Sequence, residues 1–273
     1  LTKYWGFTSF KPLQEEIIRS VARGMDTLGL MPTGGGKSVT FQVPALEKEG
    51  ICLVVTPLIA LMKDQVARLN NMGIKSVAIH SGMSAEEIDI TLDNCIYGDY
   101  KFLYISPERI PTRIFQSRLQ RLNLNLVTID EAHCISQWGY DFRPSYLTIA
   151  SVRELISDKV PFLALTATAT EQVIADILER LEFGEKNVLR TSFERKNISY
   201  FVRQVEDKGE YLVKTLHKIR GSGIIYVRSR KRCREVAELL VSKGISADFY
   251  HAGLTPELRS EERRVGKECR SRW

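Results

Sequence analysis

Residues Met31–Ser38 read M-P-T-G-G-G-K-S. A short apolar run, Thr27–Leu30, precedes them, and a helix-length segment, Val39–Leu46, follows. Strand, glycine-rich turn, then Lys-Ser opening a helix is a recipe for holding a polyphosphate. Glycines let backbone N–H groups converge on an anion. The helix start adds its own unpaired N–H groups and positive dipole end. In this reading Thr33, Gly34, Gly35 and Gly36 wrap the phosphates, Lys37 reaches the outer ones and Ser38 gives its hydroxyl to magnesium. Met31 stands where the strict pattern has glycine, which leaves Pro32 and Thr33 to shape the turn. The bland alternative is a plain glycine turn, and the rest of the chain decides between them.

Outward from this loop, strands alternate with helices. Lys11 to Arg23 predicts a helix, with Pro12 near its start, Glu15 and Glu16 in its first turn and Gly24 closing it. Predicted strands are Thr27–Met31, Ile51–Thr56, Ser76–Ile79, Phe102–Ile105, Leu124–Ile129, Phe162–Leu165 and Val188–Arg190. They are short and rich in Val, Ile and Leu, as strands buried on both faces are. Helix-length stretches such as Leu58–Asn70 and Thr170–Leu181 separate them, the latter with an apolar face at Val173, Ile174, Ile177, Leu178 and Leu181. The expected fold is α/β, a doubly wound parallel sheet with helices on both sides. Ligands of such sheets sit at the carboxyl ends of the strands. A second α/β unit is expected from Ser192–Asn197 onward, with strands at Ile198–Val205, Gly223–Val227 and Ala247–Tyr250 and helices at Lys208–Ile219 and Lys231–Lys243.

The predicted strand Leu124–Ile129 runs into Asp130-Glu131-Ala132-His133. That places two acids at a carboxyl strand end, beside the phosphate loop of the same sheet. Asp130 would hold magnesium, which takes hard oxygen ligands and keeps several waters. Glu131 would orient and deprotonate an attacking water. Phosphoryl transfer needs this positioning and charge neutralisation more than covalent chemistry. An isolated Asp-Glu is more simply a solvated turn. Its place about ninety residues after the glycine loop, with strand–helix alternation between, favours the functional reading. His133 alone reads as structural, because no partner metal ligand lies at close spacing.

The chain has 273 residues, five cysteines and a formal charge of +6. The cysteines are far apart with no C-x-x-C pair, which predicts a reducing, cytoplasmic setting and argues against structural zinc. No apolar run approaches the ~20 residues of a membrane helix. The mild basic excess is compatible with nucleic acid without proving it. Half of it, +3, comes from Arg259–Trp273, with six Lys/Arg and three Asp/Glu. That string has no apolar period and looks like the translation of a sequencing-adapter oligonucleotide, so it is set aside from the fold.

Phosphate loop, D-E-A-H and the Ala164–Thr170 stretch A-L-T-A-T-A-T together resemble a superfamily-two helicase. Cys134–Tyr146, C-I-S-Q-W-G-Y-D-F-R-P-S-Y, narrows the resemblance to RecQ-type DNA helicases. So do F-x-x-F-K-P-L-Q at Phe7–Gln14, T-P-L-I-A-L-M-K-D-Q at Thr56–Gln65, S-P-E-R at Ser106–Arg109 and Y-H-A-G-L at Tyr250–Leu254. The resemblance covers Leu1 to about Leu258. It implies a RecA-like first lobe at residues 1–191, a truncated second RecA-like lobe at 192–258 and a non-native tail at 259–273.

The resemblance also implies roles. Phe7 would stack on adenine and Gln14 would hydrogen-bond its edge. Lys11 stands where the family usually has Arg, so forked hydrogen bonding is not available there. Trp138, Phe142 and Arg143 match an aromatic-rich loop that senses single-stranded DNA, aromatic faces stacking bases without sequence preference. Tyr140 stands where a His is common. Thr56, Arg109 and, less strongly, Lys63 fall in motifs that contact the DNA backbone. His133, Thr166 and Thr168 would couple nucleotide state to that loop. Phe193, Arg195 and Asn197 match the crossover to the second lobe, and Tyr226, Ser229 and Arg230 its first strand and following loop. The implied activity is ATP- and Mg2+-dependent 3′-to-5′ unwinding of DNA, with single-stranded and partly duplex DNA as partner. No stretch after Leu254 matches the family's arginine-finger motifs, so the chain itself is expected to hydrolyse ATP poorly. Rival readings are a DNA-stimulated translocase that does not separate strands and a nucleotide- and DNA-binding module.

Overall fold

The computed structural model describes residues 1–139, 141–191, 198–219, 221–251 and 253–254. Tyr140, the crossover residues Phe193, Arg195 and Asn197, and the 259–273 tail lie outside the described residues. The chain divides into two compact units, Leu1–Arg195 and Lys196–Trp273.

In the first unit the seven strands are β1 (Thr27–Leu30), β2 (Ile51–Val55), β3 (Ser76–Ile79), β4 (Phe102–Ile105), β5 (Leu124–Ile129), β6 (Phe162–Thr166) and β7 (Val188–Arg190). They form one sheet in the order β3-β4-β2-β5-β6-β1-β7, and every pair is parallel. All seven coincide with the predicted strands to within a residue at either end.

The period-2 alternation of a strand splits the apolar residues between two cores. Leu53, Val55, Leu103, Ile105, Val127 and Ile129 face one core. Cys52, Val54, Phe102, Tyr104, Leu126 and Leu163 face the other. Against the first core pack α5 (Ala85–Tyr97), α6 (Arg113–Leu119), α7 (Glu171–Arg180) and a twelve-residue 3₁₀ helix, Pro144–Leu155. Against the second pack α2 (Gln14–Ala22), α3 (Lys37–Glu47) and α4 (Ile59–Asn71). This sandwich holds the strand ends rigid, and a site built there inherits that rigidity.

The helix predicted from Lys11 starts only at Gln14. Leu13 has φ 71°, a left-handed value that no helix interior accepts. The turn Lys11–Leu13 is closed instead by the Lys11 N–H donating to Gln14 Oε1 at 2.8 Å.

The second unit is a different case. Helices Lys208–Lys218 (α8) and Arg230–Ser242 (α9) form, capped by the side chains of Asp207 and Ser229. The strands predicted at Ile198–Val205, Gly223–Val227 and Ala247–Tyr250 do not: no ladder forms there among the described residues. Several of their apolar side chains stay in solvent, Val202 at 97% exposure and Tyr226 at 91%. A helix satisfies its backbone internally, whereas a strand exists only with hydrogen-bonded neighbours.

Candidate nucleotide and nucleic-acid site

The strand order places β5, β6 and β1 side by side, so three connections leave one stretch of the carboxyl edge together. From β1 the chain enters the glycine loop. Met31 is buried, its N–H bonded to Thr166 O at 3.0 Å. Thr33 and Gly34 are exposed and Lys37 and Ser38 half-buried, at the loop mouth and the first turn of α3. Gly36 has φ 81°, and a Cβ there would meet Gln14 Nε2 at 2.4 Å. Both facts demand glycine.

Gln14 is buried, and its amide is spent on the loop. Nε2 donates to Gly35 O at 3.2 Å and Gly36 O at 3.0 Å, while Lys11 Nζ donates to Gly34 O at 3.1 Å. Gln14 thus places its amide donors on the loop carbonyls, and reading a base edge would require their release. Phe7, in contrast, is 57% exposed. A groove of about 360 Å³ lined by Phe10, Lys11, Pro12, Leu13, Glu15, Glu16 and Arg19 opens alongside.

From β5 the chain passes Asp130 and Glu131. Glu131 has φ 49°, the left-handed region that costs a non-glycine residue on the order of 1–2 kcal/mol. The turn is held by the Glu131 N–H donating to Asp130 Oδ1 at 3.0 Å and by the Tyr146 hydroxyl donating to Asp130 O at 2.8 Å. It brings Glu131 Oε1 to 3.1 Å from Lys37 Nζ, across 94 residues of sequence. The other carboxylate oxygen lies 3.4 Å from His133 Nδ1. His133 Nδ1 is also 2.9 Å from Thr166 Oγ1, at the end of β6. Thr166 gives its hydroxyl hydrogen to Thr168 O at 3.2 Å, so it accepts from His133, and the imidazole proton is assigned to Nδ1. Burial lowers the His133 pKa, with Glu131 opposing that shift, so the ring is neutral at pH 7 and its contact with Glu131 is not an ion pair. Burial pushes the Asp130 carboxyl above its ordinary range, against the pull of the Lys37 charge.

Magnesium fits this donor set. The buried Asp130 carboxylate, after β5, and the half-buried Ser38 hydroxyl, after β1 and with no hydrogen-bond partner among the described residues, are hard oxygen donors on the same carboxyl edge.

The remaining predicted residues lie over β2 and β4 and on the loop after β5. Trp138 is 68% exposed, Phe142 and Arg143 half-buried. Arg143 closes the loop root, its N–H bonded to Cys134 O at 2.9 Å and its guanidinium to Asp141 Oδ2 at 3.2 Å. Arg109 donates to His80 O at 3.1 Å, and Lys63 is exposed. Thr56 is fully enclosed and its hydroxyl has no partner. That hydroxyl lies inside, at the end of β2, with no hydrogen-bond partner among the described residues.

Three side chains were not singled out from sequence. Asp141 brings a carboxylate near His133 and Cys134, their ligand atoms within 4.8 Å of one another, which supplies the neighbours His133 lacks in sequence. Asp141 is nonetheless paired with Arg143, and burial pushes the Cys134 thiol up to about 12, so the cluster disfavours a cation. Tyr146 and Asp176 are the others. Ser136 donates to Asp176 Oδ2 at 2.6 Å across 40 residues, a pairing that no local pattern announces.

The chain matches a family model described as DEAD/DEAH box helicase over residues 11–177. It is 42% identical to the ATP-dependent DNA helicase RecQ of Bacillus subtilis over 267 residues, 96% of this chain and 45% of that protein. It is 40% identical to the probable ATP-dependent DNA helicase RecS of the same organism, covering 93% of this chain and 52% of that one. The chain thus spans about half the length of the curated relatives it matches. Among solved structures, the DUF1998 helicase MrfA bound to DNA superposes with a TM-score of 0.72 at 18% identity, over 98% of this chain and 42% of that one. That likeness is one of fold, the RecA-like α/β sheet.

Proposed function

The chain belongs to the DEAD/DEAH box helicase family, and from that premise we propose that it forms the ATP-binding part of a 3′-to-5′ DNA helicase of RecQ type. The observation that carries the proposal is the side-chain relay Lys37–Glu131–His133–Thr166 across three strand ends. Without nucleotide, the Lys37 charge is answered by Glu131. The outer phosphates of ATP are stronger partners for an ammonium and displace the carboxylate. Glu131 is then free to orient a water for attack and take its proton. His133, which lies 3.4 Å from Glu131 and is bonded to Thr166, transmits that change to the loop carrying Trp138, Phe142 and Arg143. Magnesium, when bound by Ser38 and Asp130, neutralises charge on the phosphates. Phe7 and Lys11, beside the open groove, take the base. Gln14 holds the loop in shape until ATP arrives. Arg109 and Arg143 face the DNA backbone.

We assign residues 1–191 to the first lobe and 192–258 to part of a second, with 259–273 non-native. Single-stranded and partly duplex DNA, a role in repair and recombination, and a cytoplasmic setting are part of the same proposal. A second reading, a nucleotide- and DNA-binding module without hydrolysis, draws on the strand segments of the second unit that have no ladder.

The test is ATP hydrolysis with and without single-stranded DNA at one salt concentration. The samples are the chain ended at Leu258, the protein extended along its reading frame, and Glu131→Gln in the extended form. Hydrolysis only in the extended wild type, accelerated by DNA, supports the motor. A silent extended wild type overturns it in favour of the binding module. A fragment as active as the extended form refutes the claim that the second lobe is needed. Strand separation on DNA and RNA duplexes then distinguishes helicase from translocase.

A further inference from the structure

Trp138 is two-thirds exposed, so packing of its own ring does not set where the indole points. The backbone that carries it is held at the root of the loop. There Ser136 is fully buried, and each of its polar groups has a partner. The Ser136 N–H donates to His133 O at 3.2 Å and its carbonyl accepts from Gly139 N at 3.1 Å. Its hydroxyl accepts the Trp138 backbone N–H at 3.2 Å and donates to Asp176 Oδ2 at 2.6 Å. A hydroxyl has one hydrogen, and a carboxylate takes it in a short, charge-assisted bond. That fixes the lone pair left for Trp138. Gly139 allows the tight return, since a Cβ there would lie 2.8 Å from His133 O.

Asp176 sits on α7, which is anchored in the core by Val173, Ile174 and Ile177. The chain reaches α7 directly from Thr166, the residue bonded to His133. The loop root is therefore tied twice to one continuous segment, His133 to Thr166 and Ser136 to Asp176. We infer that Asp176 and Ser136 are a positioning pair that aims the aromatic loop and carries its displacement by DNA to the Thr166–His133–Glu131 relay. The inference rests on the reading of Trp138 as a DNA-contacting residue. Asp176 touches no substrate and acts through Ser136.

The pair is tested in the extended protein by measuring the single-stranded DNA concentration that half-activates ATP hydrolysis, beside the rate without DNA. Asp176→Ala and Ser136→Ala each raise the half-activating concentration about tenfold, the effect of losing a charged hydrogen bond, with the DNA-free rate within about twofold of wild type. The double variant is no worse than Ser136→Ala, because that change already deletes the bond to Asp176. Asp176→Asn, which keeps the acceptor, recovers most of the activation. In the chain itself, with Trp5 and Trp273 replaced by Phe, acrylamide quenching and anisotropy of Trp138 show a looser indole in both alanine variants. Additive single effects, an Asn variant as impaired as Ala, or unchanged Trp138 signals overturn the pair. Trp138→Ala separates the two readings. If it leaves DNA activation intact, the DNA role of the loop is wrong. If it abolishes activation while Asp176→Ala does not alter it, the positioning pair alone is wrong.

Discussion

The two halves of the sheet's carboxyl edge handle polar groups in opposite ways. Over β1, β6 and β5 the charges answer one another: Lys37 with Glu131, His133 with Thr166, Gln14 with the loop carbonyls. Over β2 and β4 and at the root of the loop after β5, the Thr56 and Ser106 hydroxyls and Nε of Arg109 and Arg143 are enclosed without a hydrogen-bond partner among the described residues. Buried polar atoms in folded proteins are nearly always paired, so this half carries unspent bonding capacity. On the proposed reading, the nucleotide half would exchange internal bonds for bonds to a ligand. The other half has bonds to make.

The largest expected effect tests that exchange. Glu131→Gln should slow ATP hydrolysis by about 10² to 10⁴, the usual contribution of a positioned base. ATP affinity should hold or rise, because Lys37 loses its internal competitor. Equilibrium binding of a fluorescent ATP analogue beside single-turnover hydrolysis checks this, and weaker binding would break the contrast between the halves. Next, Trp138→Ala should weaken single-stranded DNA about tenfold, the worth of one stacked base, and leave nucleotide affinity alone. Fluorescence anisotropy of a labelled oligonucleotide measures it.

A smaller effect concerns Asp130. Its carboxyl titrates above the unfolded value, so between the two values the folded state holds more protons than the unfolded one. Stability from this group is thus greatest below the ordinary aspartate range and declines as pH rises through the raised value. Asp130→Asn should melt higher than wild type at pH 8, with the advantage shrinking toward pH 4, in thermal scans without nucleotide. Smallest of all, Thr56→Val replaces an unpartnered interior hydroxyl with a methyl of similar shape. It should be neutral or stabilising by up to about 1 kcal/mol, with DNA affinity unchanged. A stable Thr56→Val that binds DNA tenfold more weakly would support the backbone contact expected from sequence.

What was legible in the chain follows from how each element is stabilised. The strands of the first unit announce themselves because Val, Ile and Leu are buried on both faces of a parallel sheet. In the second unit Tyr200, Phe201 and Val202 carry the same strand-like pattern without forming a ladder, for pattern names a strand only when neighbours supply the bonds. Gln14 belongs to a recognisable segment, but which acceptors its amide meets depends on a glycine loop more than twenty residues away.

The sequence by itself determined the order of strands and helices in the first unit, the glycine loop and the acidic pair at a strand end, because those rest on local conformation and periodic burial. Tertiary structure alone decided that Lys37 meets Glu131 across 94 residues, that Thr56 is sealed inside, and that Ser136 finds Asp176. Strand order sets which ends adjoin, and a hydrogen bond reads distance in space rather than along the chain.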